Sequence, residues 1–395
     1  MATLTTRTDE VRPEDFLNVE ATLSGEEVAI RDVVATFVRE RVAPHIAEWF
    51  EEGRSPRELM KELGALGVLG MHLEGYGCAG TSATAYGLAC LELEAGDSGI
   101  RSLVSVQGSL AMFAIHRWGS VEQRQEWLPR MAAGDAVGCF GLTESDAGSD
   151  PGAMRTRARR DGSDWILHGQ KMWITNGSVA DVAIVWAQTD EGIRGFLVTK
   201  GTPGFATQDI QKKLSLRASV TSELLLSDVR LPQSAMLPEA LSLRGPLSCL
   251  NEARYGIVWG AVGAARACFD AARQYASERQ VFGKPVASYQ IQQQKLALMA
   301  LAVNRSYLTA LHLGRLKDQG LLRPEQVSMG KLGNVNDALE VARAARQVLG
   351  ANGISLEYPV MRHLCNLESV VTYEGTADVH ALVVGGALTG IPAFR

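Results

Sequence analysis

The sequence predicts a mainly α fold with a β domain in the middle. Three observations carry this reading. Between residues 24 and 134, apolar residues follow helical spacing behind strong helix-start signals. From 137 to about 240 that spacing disappears, and the turn dipeptides Asp161-Gly162, Asn176-Gly177 and Glu191-Gly192 separate short apolar runs. From Pro246 onward long helical runs return with few turn signals. The predicted domains are therefore 1–136 (helical), 137–240 (β) and 241–395 (helical bundle).

The first helix starts at Ser24, which forms a capping box with Glu27. Ile30, Val33, Val34, Phe37 and Val38 make its apolar face, and Pro44 disturbs it. Ser55, Pro56 and Glu58 predict a second start, with Gly67 as its stop. Ser120 and Gly134 bracket another helix. In the middle domain Trp165–Leu167, Val182–Ala187, Phe196–Val198 and Leu224–Leu226 read as strands. Leu247, Leu250, Ile257, Val258, Ala261 and Val262 then share one helical face, and further runs cover about 288–318 and 325–349. Long helices joined by short connections pack antiparallel.

Composition narrows the function classes. The chain has 395 residues, with 39 Lys+Arg against 44 Asp+Glu, so its formal net charge is −5. An anionic chain of this kind is no general nucleic-acid binder. The six cysteines (Cys78, Cys90, Cys139, Cys249, Cys268, Cys365) lie far apart, which gives no close-spaced zinc or redox pair and predicts free thiols. The longest charge-free stretch, Gly75–Leu91, is rich in Gly, Ser and Thr and does not read as a membrane span. Met1–Phe16 has no apolar segment, and Asp9, Glu10, Glu14 and Asp15 oppose a transit peptide, so the expected location is cytoplasmic.

Gly75-Tyr76-Gly77-Cys78-Ala79-Gly80 matches a dinucleotide fingerprint by letter, but no βαβ unit surrounds it, so it reads as an interhelical loop. No phosphate loop, Gly-x-Ser-x-Gly elbow or His-Glu-x-x-His pair is present, and no metal site is expected. Arg155, Arg157, Arg159 and Arg160 suit the wet face of a strand. Glu374 sits in Thr372-Tyr373-Glu374-Gly375-Thr376 before a helix that Thr376 can cap. A carboxylate there is favoured by the helix dipole alone, but Gly375 also allows close approach of another molecule. Arg101 borders Ser102–Ile115, a segment without charge, and needs a buried partner. That partner is Asp97 or Glu94 on the bland reading, and a ligand carboxylate on the functional one.

Six segments together resemble the acyl-CoA dehydrogenase family, over roughly residues 15–395. They are Asp97-Ser98-Gly99-Ile100-Arg101-Ser102, Cys139–Glu144 leading to Gly148-Ser149-Asp150-Pro151, Trp173-Ile174-Thr175-Asn176, Asn251–Gly256, Arg279-Gln280-Val281-Phe282-Gly283 and Tyr373–Thr376. Arg101 and its surroundings most resemble the glutaryl-CoA dehydrogenase branch. The resemblance implies a helical N-terminal domain, a β-barrel-like middle domain and a C-terminal four-helix bundle. It implies FAD, an acyl-CoA substrate, electron-transfer flavoprotein as partner and a homotetramer, with no membrane or nucleic acid involved.

Residue by residue, the resemblance makes Glu374 the catalytic base and places Arg101, Ser102, Ser105, Ser149, Asn251, Arg254 and Gly375 at the substrate. It places Phe140, Gly141, Leu142, Thr143, Ser149, Trp173, Ile174 and Thr175 along the flavin ring. Arg279, Phe282, Gln290, Gln347, Val348, Gly350 and Ala351 would hold the rest of the cofactor, partly from a neighbouring subunit, with Thr376 and Asp378 close by. The implied reaction is α,β-dehydrogenation, with oxidative decarboxylation of glutaryl-CoA to crotonyl-CoA and CO2. The alternatives are a non-decarboxylating or short-chain acyl-CoA dehydrogenase and a catalytically silent acyl-CoA-binding protein. Ile100 stands where some glutaryl enzymes have Tyr, Ala351 where relatives often have Gly, and Gly386 where an Arg is common.

Overall fold

The computed structural model of the chain describes residues 12–394. The expectation drawn from Met1–Phe16 falls largely on residues 1–11, which lie outside the described residues. The Ser24 hydroxyl accepts from the Glu27 amide at 3.2 Å, and the Glu27 carboxylate accepts from the Ser24 amide at 2.8 Å. This capping box opens α1 (Gly25–Phe37). A π-helical turn at Val38–Val42 and Pro44 separate it from α2 (Ile46–Glu52). The next helix, α3 (Leu59–Ala65), begins later than Ser55-Pro56 predicts. The amides of Leu59 and Met60 first make short bonds to the Pro56 and Arg57 carbonyls, each 3.0 Å, before the regular ladder starts.

Gly75, Gly77 and Gly80 all have positive φ in the loop before α4 (Ala83–Gly96), so this segment is an interhelical connection. After α4 come α5 (Ser98–Ser105), a π-helical segment Val106–Met112, α6 (Phe113–Trp118) and α7 (Val121–Ala132). Ser120 caps α7 through a second capping box with Gln123.

The middle region contains β1 (Gly138–Gly141), β2 (Arg157–Asp161), β3 (Asp164–Thr175), β4 (Val182–Thr189), β5 (Gly192–Thr199), β6 (Phe205–Asp209) and β7 (Thr221–Pro232). They form one seven-stranded sheet in the order β1-β4-β2-β3-β7-β6, with β5 also on β4. On β2 only Ala158 faces inward, and Arg157, Arg159 and Arg160 are exposed, which is the wet strand face expected of that cluster. One side of the sheet packs Trp165, Leu167, Phe196 and Leu224 into its own core. The other presents Phe140, Ile184 and Trp186 to Ile115, Leu128 and Met131 of the N-terminal helices.

The long α8 (Arg244–Glu278) leads to a small hairpin of β8 (Gln280–Val281) and β9 (Lys284–Pro285). There follow α9 (Gln290–Asp318), α10 (Pro324–Leu349), α11 (Pro359–Val370) and α12 (Ala377–Thr389). α8, α9 and α10 pack on one another, α10 also carries α11 and α12, and α8 crosses α4. That crossing is close: a Cβ on Gly263 would lie 1.9 Å from the Leu91 carbonyl oxygen. α9 is long and apolar enough to cross a membrane by length and composition, and half of its apolar window is buried in the bundle. Ile291, Leu298, Leu301 and Leu308 remain exposed on it. All six cysteines are free. The tail after α12 folds back, so a Cβ on Gly386 would meet the Ile391 oxygen at 3.3 Å, a tight contact.

Candidate active site

Glu374 lies in the turn between α11 and α12, with φ +55, and Gly375 follows at φ +99. Left-handed backbone at a non-glycine residue persists only where surroundings enforce it. Here cations hold the carbonyls of Tyr373, Glu374 and Gly375. Lys331 Nζ donates to the Tyr373 and Gly375 oxygens, each at 2.6 Å, and Arg254 Nε donates to the Glu374 oxygen at 2.7 Å. The Glu374 amide N–H has no acceptor among the described residues. Thr376 caps α12 as predicted, accepting from Val379 N at 3.2 Å, and Asp378 is exposed in its first turn.

The Glu374 Oε2 atom is sealed from solvent and has no hydrogen-bond partner. Burial pushes this carboxyl above its ordinary value, and Arg101, Lys331 and Arg254 oppose the rise. Arg101 is 1% exposed on α5. Its Nε donates to Glu94 at 2.7 Å and its Nη2 bonds the Tyr373 hydroxyl. Glu94 is thus the protein partner, whereas Asp97 is taken by Arg362 at 2.5 Å and Asn366 at 2.8 Å. The Nη1 nitrogen of Arg101 makes no hydrogen bond among the described residues. The nearby Ser102 and Ser105 hydroxyls are buried and also without partners. Asn251 Oδ1 accepts from Arg254 Nη1 at 3.2 Å. Around the carboxylates of Glu374 and Glu94 stand three cations, Arg101, Arg254 and Lys331. Such a buried surplus of positive charge, with unused donors, suits an anionic ligand.

A second group lies at the sheet. Phe140 and Gly141 end β1, and Leu142 and Thr143 follow it. The Thr143 carbonyl accepts from Met172 N at 2.9 Å, which ties this segment to the end of β3. A register shift between Lys171 and Ile174 turns Trp173 outward at φ +63, 55% exposed, while Ile174 and Thr175 pair with Ser222 and Thr221 of β7. Lys171 is fully buried and donates to the Leu142 carbonyl at 3.0 Å and to Glu144 at 2.7 Å. Burial pulls its pKa down to about 8 against the pull of Glu144. Asn176 beside them is buried with both amide atoms unpartnered. Ser149 is exposed on the following loop. An exposed aromatic ring, bonded strand ends and an orphaned amide form a platform that fits a flat heteroaromatic group.

A third group lines a cleft of about 500 Å³. Arg279, Phe282, Val348, Gly350 and Ala351 line it with Tyr275, Tyr289 and Asn352, while Gln290 and Gln347 are exposed on α9 and α10 and are not among its walls. Glu374 is not part of this cleft. Ile100, by contrast, is fully buried in the N-terminal core. Sequence reasoning missed Lys331 and Lys171. The signal for Lys331 was available: it stands on the stripe Val327, Lys331, Val335, Ala338, where helical spacing calls for apolar residues.

Three matches cover the architecture. The acyl-CoA dehydrogenase N-terminal domain matches residues 24–135, the middle domain 139–229 and the C-terminal domain 244–389. The chain belongs to the acyl-CoA dehydrogenase family. More narrowly, it is similar to the crystal structure of glutaryl-CoA dehydrogenase from Mycobacterium smegmatis, at 65% identity and a TM-score of 0.96, covering 98% of this chain and 100% of that one. It is similar to a glutaryl-CoA dehydrogenase from Mycobacterium smegmatis in complex with FADH2, at 61% identity and a TM-score of 0.97 over the same shares. It is 36% identical to the mitochondrial short-chain specific acyl-CoA dehydrogenase of Bos taurus, over 91% of this chain and 89% of that protein.

Proposed function

We propose that this protein oxidises glutaryl-CoA at Cα–Cβ and decarboxylates the product to crotonyl-CoA, using FAD and passing electrons to electron-transfer flavoprotein. One observation carries the choice of substrate. Beside the candidate base, a buried arginine keeps its Nη1 donors unused, next to two partnerless buried hydroxyls, Ser102 and Ser105. A monocarboxylic acyl chain leaves those groups unsatisfied, whereas a terminal carboxylate pairs with them. The similarity to glutaryl-CoA dehydrogenases at 61% and 65% identity supports the same reading.

The residues present fit FAD. Trp173, Thr175 and the Phe140–Thr143 segment would hold its ring, and Arg279 and the cleft its pyrophosphate and adenine. Bound FAD supplies the acceptor for the hydride that leaves Cβ. The Glu374 carboxylate takes the α-proton, and the unbonded Glu374 amide donates to the thioester oxygen as charge develops there. Arg101 holds the distal carboxylate through Nη1. In the oxidised acyl chain that carboxylate is vinylogous to the thioester. Loss of CO2 leaves an electron pair on the acyl chain, and the protonated Glu374 returns its proton to the terminal carbon. Burial raises the Glu374 carboxyl above its ordinary value, which suits a group that serves first as base and then, protonated, as acid.

The test is incubation with glutaryl-CoA and an electron acceptor, followed by product analysis. Crotonyl-CoA with CO2 is expected. Accumulated glutaconyl-CoA would mean oxidation alone, and flavin bleaching by butyryl-CoA but not glutaryl-CoA would remove the substrate assignment. Glu374→Gln is expected to keep flavin and acyl-CoA binding and to lose reduction. Reduction at a native rate in that variant would end the base assignment.

A further inference from the structure

We propose that Lys331 is a positioning residue for Glu374, holding the left-handed turn that aims the carboxylate by pinning the carbonyls on both sides of it. The inference rests on the reading of Glu374 as base. Lys331 is 1% exposed in the middle of the bundle, on a helix 42 and 44 positions away in sequence from the turn residues it bonds. A buried ammonium is costly to desolvate, and an apolar residue at this point of the α10 stripe would avoid that cost. Instead one ammonium spends two of its three donors on Tyr373 O and Gly375 O, each 2.6 Å away, with Glu374 at φ +55 between them. Neither bond is available from the backbone of α11 or α12. The turn is thus fixed from outside, by a side chain across the bundle, and the carboxylate inherits its direction from that fixation.

The ammonium also acts through charge. Glu374 is faced by Arg101 from α5, Arg254 from α8, Lys331 from α10, Glu94 from α4, His380 from α12 and its own neighbour Tyr373. His380 is kept neutral, because burial and then Lys331 and Arg254 pull its pKa down to about 3. Glu94 is already paired with Arg101. Burial pulls the Lys331 ammonium down to about 7 while Glu374 opposes the fall, so the lysine is charged below that pH, and removing it there takes one of three cations from Glu374 and raises its carboxyl further.

The experiment compares Lys331→Gln, which keeps a donor without the charge, and Lys331→Arg, which keeps the charge, with the parent enzyme carrying FAD. In Lys331→Gln, kcat is expected to fall by about 10²-fold with little change in KM. The acid limb of its kcat profile should move to higher pH. Lys331→Arg should return the limb to the parent position. A readout without turnover is the infrared carboxyl band that disappears in Glu374→Gln: it should titrate at higher pH in Lys331→Gln. A Gln variant with parental kcat, limb and carboxyl band would overturn the proposal. So would a loss of thermal stability in both variants with limb and band unmoved, since that is what a merely structural lysine gives. If Glu374→Gln itself still reduces flavin, the base reading fails instead, and the two failures are told apart.

Discussion

Arg101 shows why a single side chain can serve structure and specificity together. Its Nε is committed to Glu94, which is fully buried, and its Nη2 bonds Tyr373, so both Nη1 donors are left for a ligand. Deleting the arginine alone would strand Glu94 in the interior, at a cost of about 3–5 kcal/mol. The informative variant is therefore Arg101→Gln with Glu94→Gln, which removes both charges at once. Turnover of glutaryl-CoA is expected to fall by about 10²–10⁴-fold, while that of butyryl-CoA changes far less. Equal losses on both substrates, measured as kcat/KM, would make Arg101 purely structural. The same residue logic sets a pH dependence. Glu374 must be ionised to take the α-proton, and burial raises its folded pKa, so activity should rise with pH across a window above the ordinary carboxylate range. An acid limb at the usual Glu value would show that the site is wetter than its burial implies.

At the scale of elements, the decisive piece is the turn from α11 to α12. Its carbonyls are held by Lys331 and Arg254, and the residue after Glu374 must be glycine. At φ +99 a side chain is strained, and a Cβ on Gly375 would sit 2.8 Å from His380 Nε2. Gly375→Ala is expected to introduce strain of about 1–3 kcal/mol and to displace Glu374. Thermal unfolding should shift to lower temperature and kcat should fall more than acyl-CoA affinity. Unchanged melting and turnover would mean that the turn tolerates rearrangement. The β3 bulge does comparable work at the other side, because it turns Trp173 outward while Lys171 clamps Glu144 and the strand end below it.

For the whole molecule, the separation between the Glu374 cluster and the Arg279 cleft matters most. Phe282, on the rim of that cleft, is 92% exposed, and Ile291, Leu298 and Leu301 continue the apolar surface along α9. A surface of this kind is covered in a stable assembly, and we propose that a homotetramer, which the family resemblance implies, covers it with other copies of the chain. Light scattering should then give four times the 42.6 kDa chain mass. Leu298→Glu with Leu301→Glu should produce a smaller species that binds less flavin, since the cleft would no longer complete a neighbour's site. A monomer with full flavin content in the parent protein would refute this arrangement.

Local chemistry was enough to read much of this protein from its sequence. The two capping boxes, the Thr376 cap, the wet face of β2 and the order of helical, β and helical regions follow from neighbours a few residues apart, which a linear chain displays directly. The helix start after Glu374 was legible for the same reason, whereas the role of Glu374 as base came from the family resemblance. What the fold alone decided were pairings set by distant parts of the chain: Glu94 rather than Asp97 for Arg101, because Arg362 and Asn366 claim Asp97, and Lys331 across 42 and 44 positions from the carbonyls it holds. Such a charge has no local partner to betray its purpose. Its role exists only once the bundle closes and water, the alternative partner for ammonium and carbonyl alike, has been excluded.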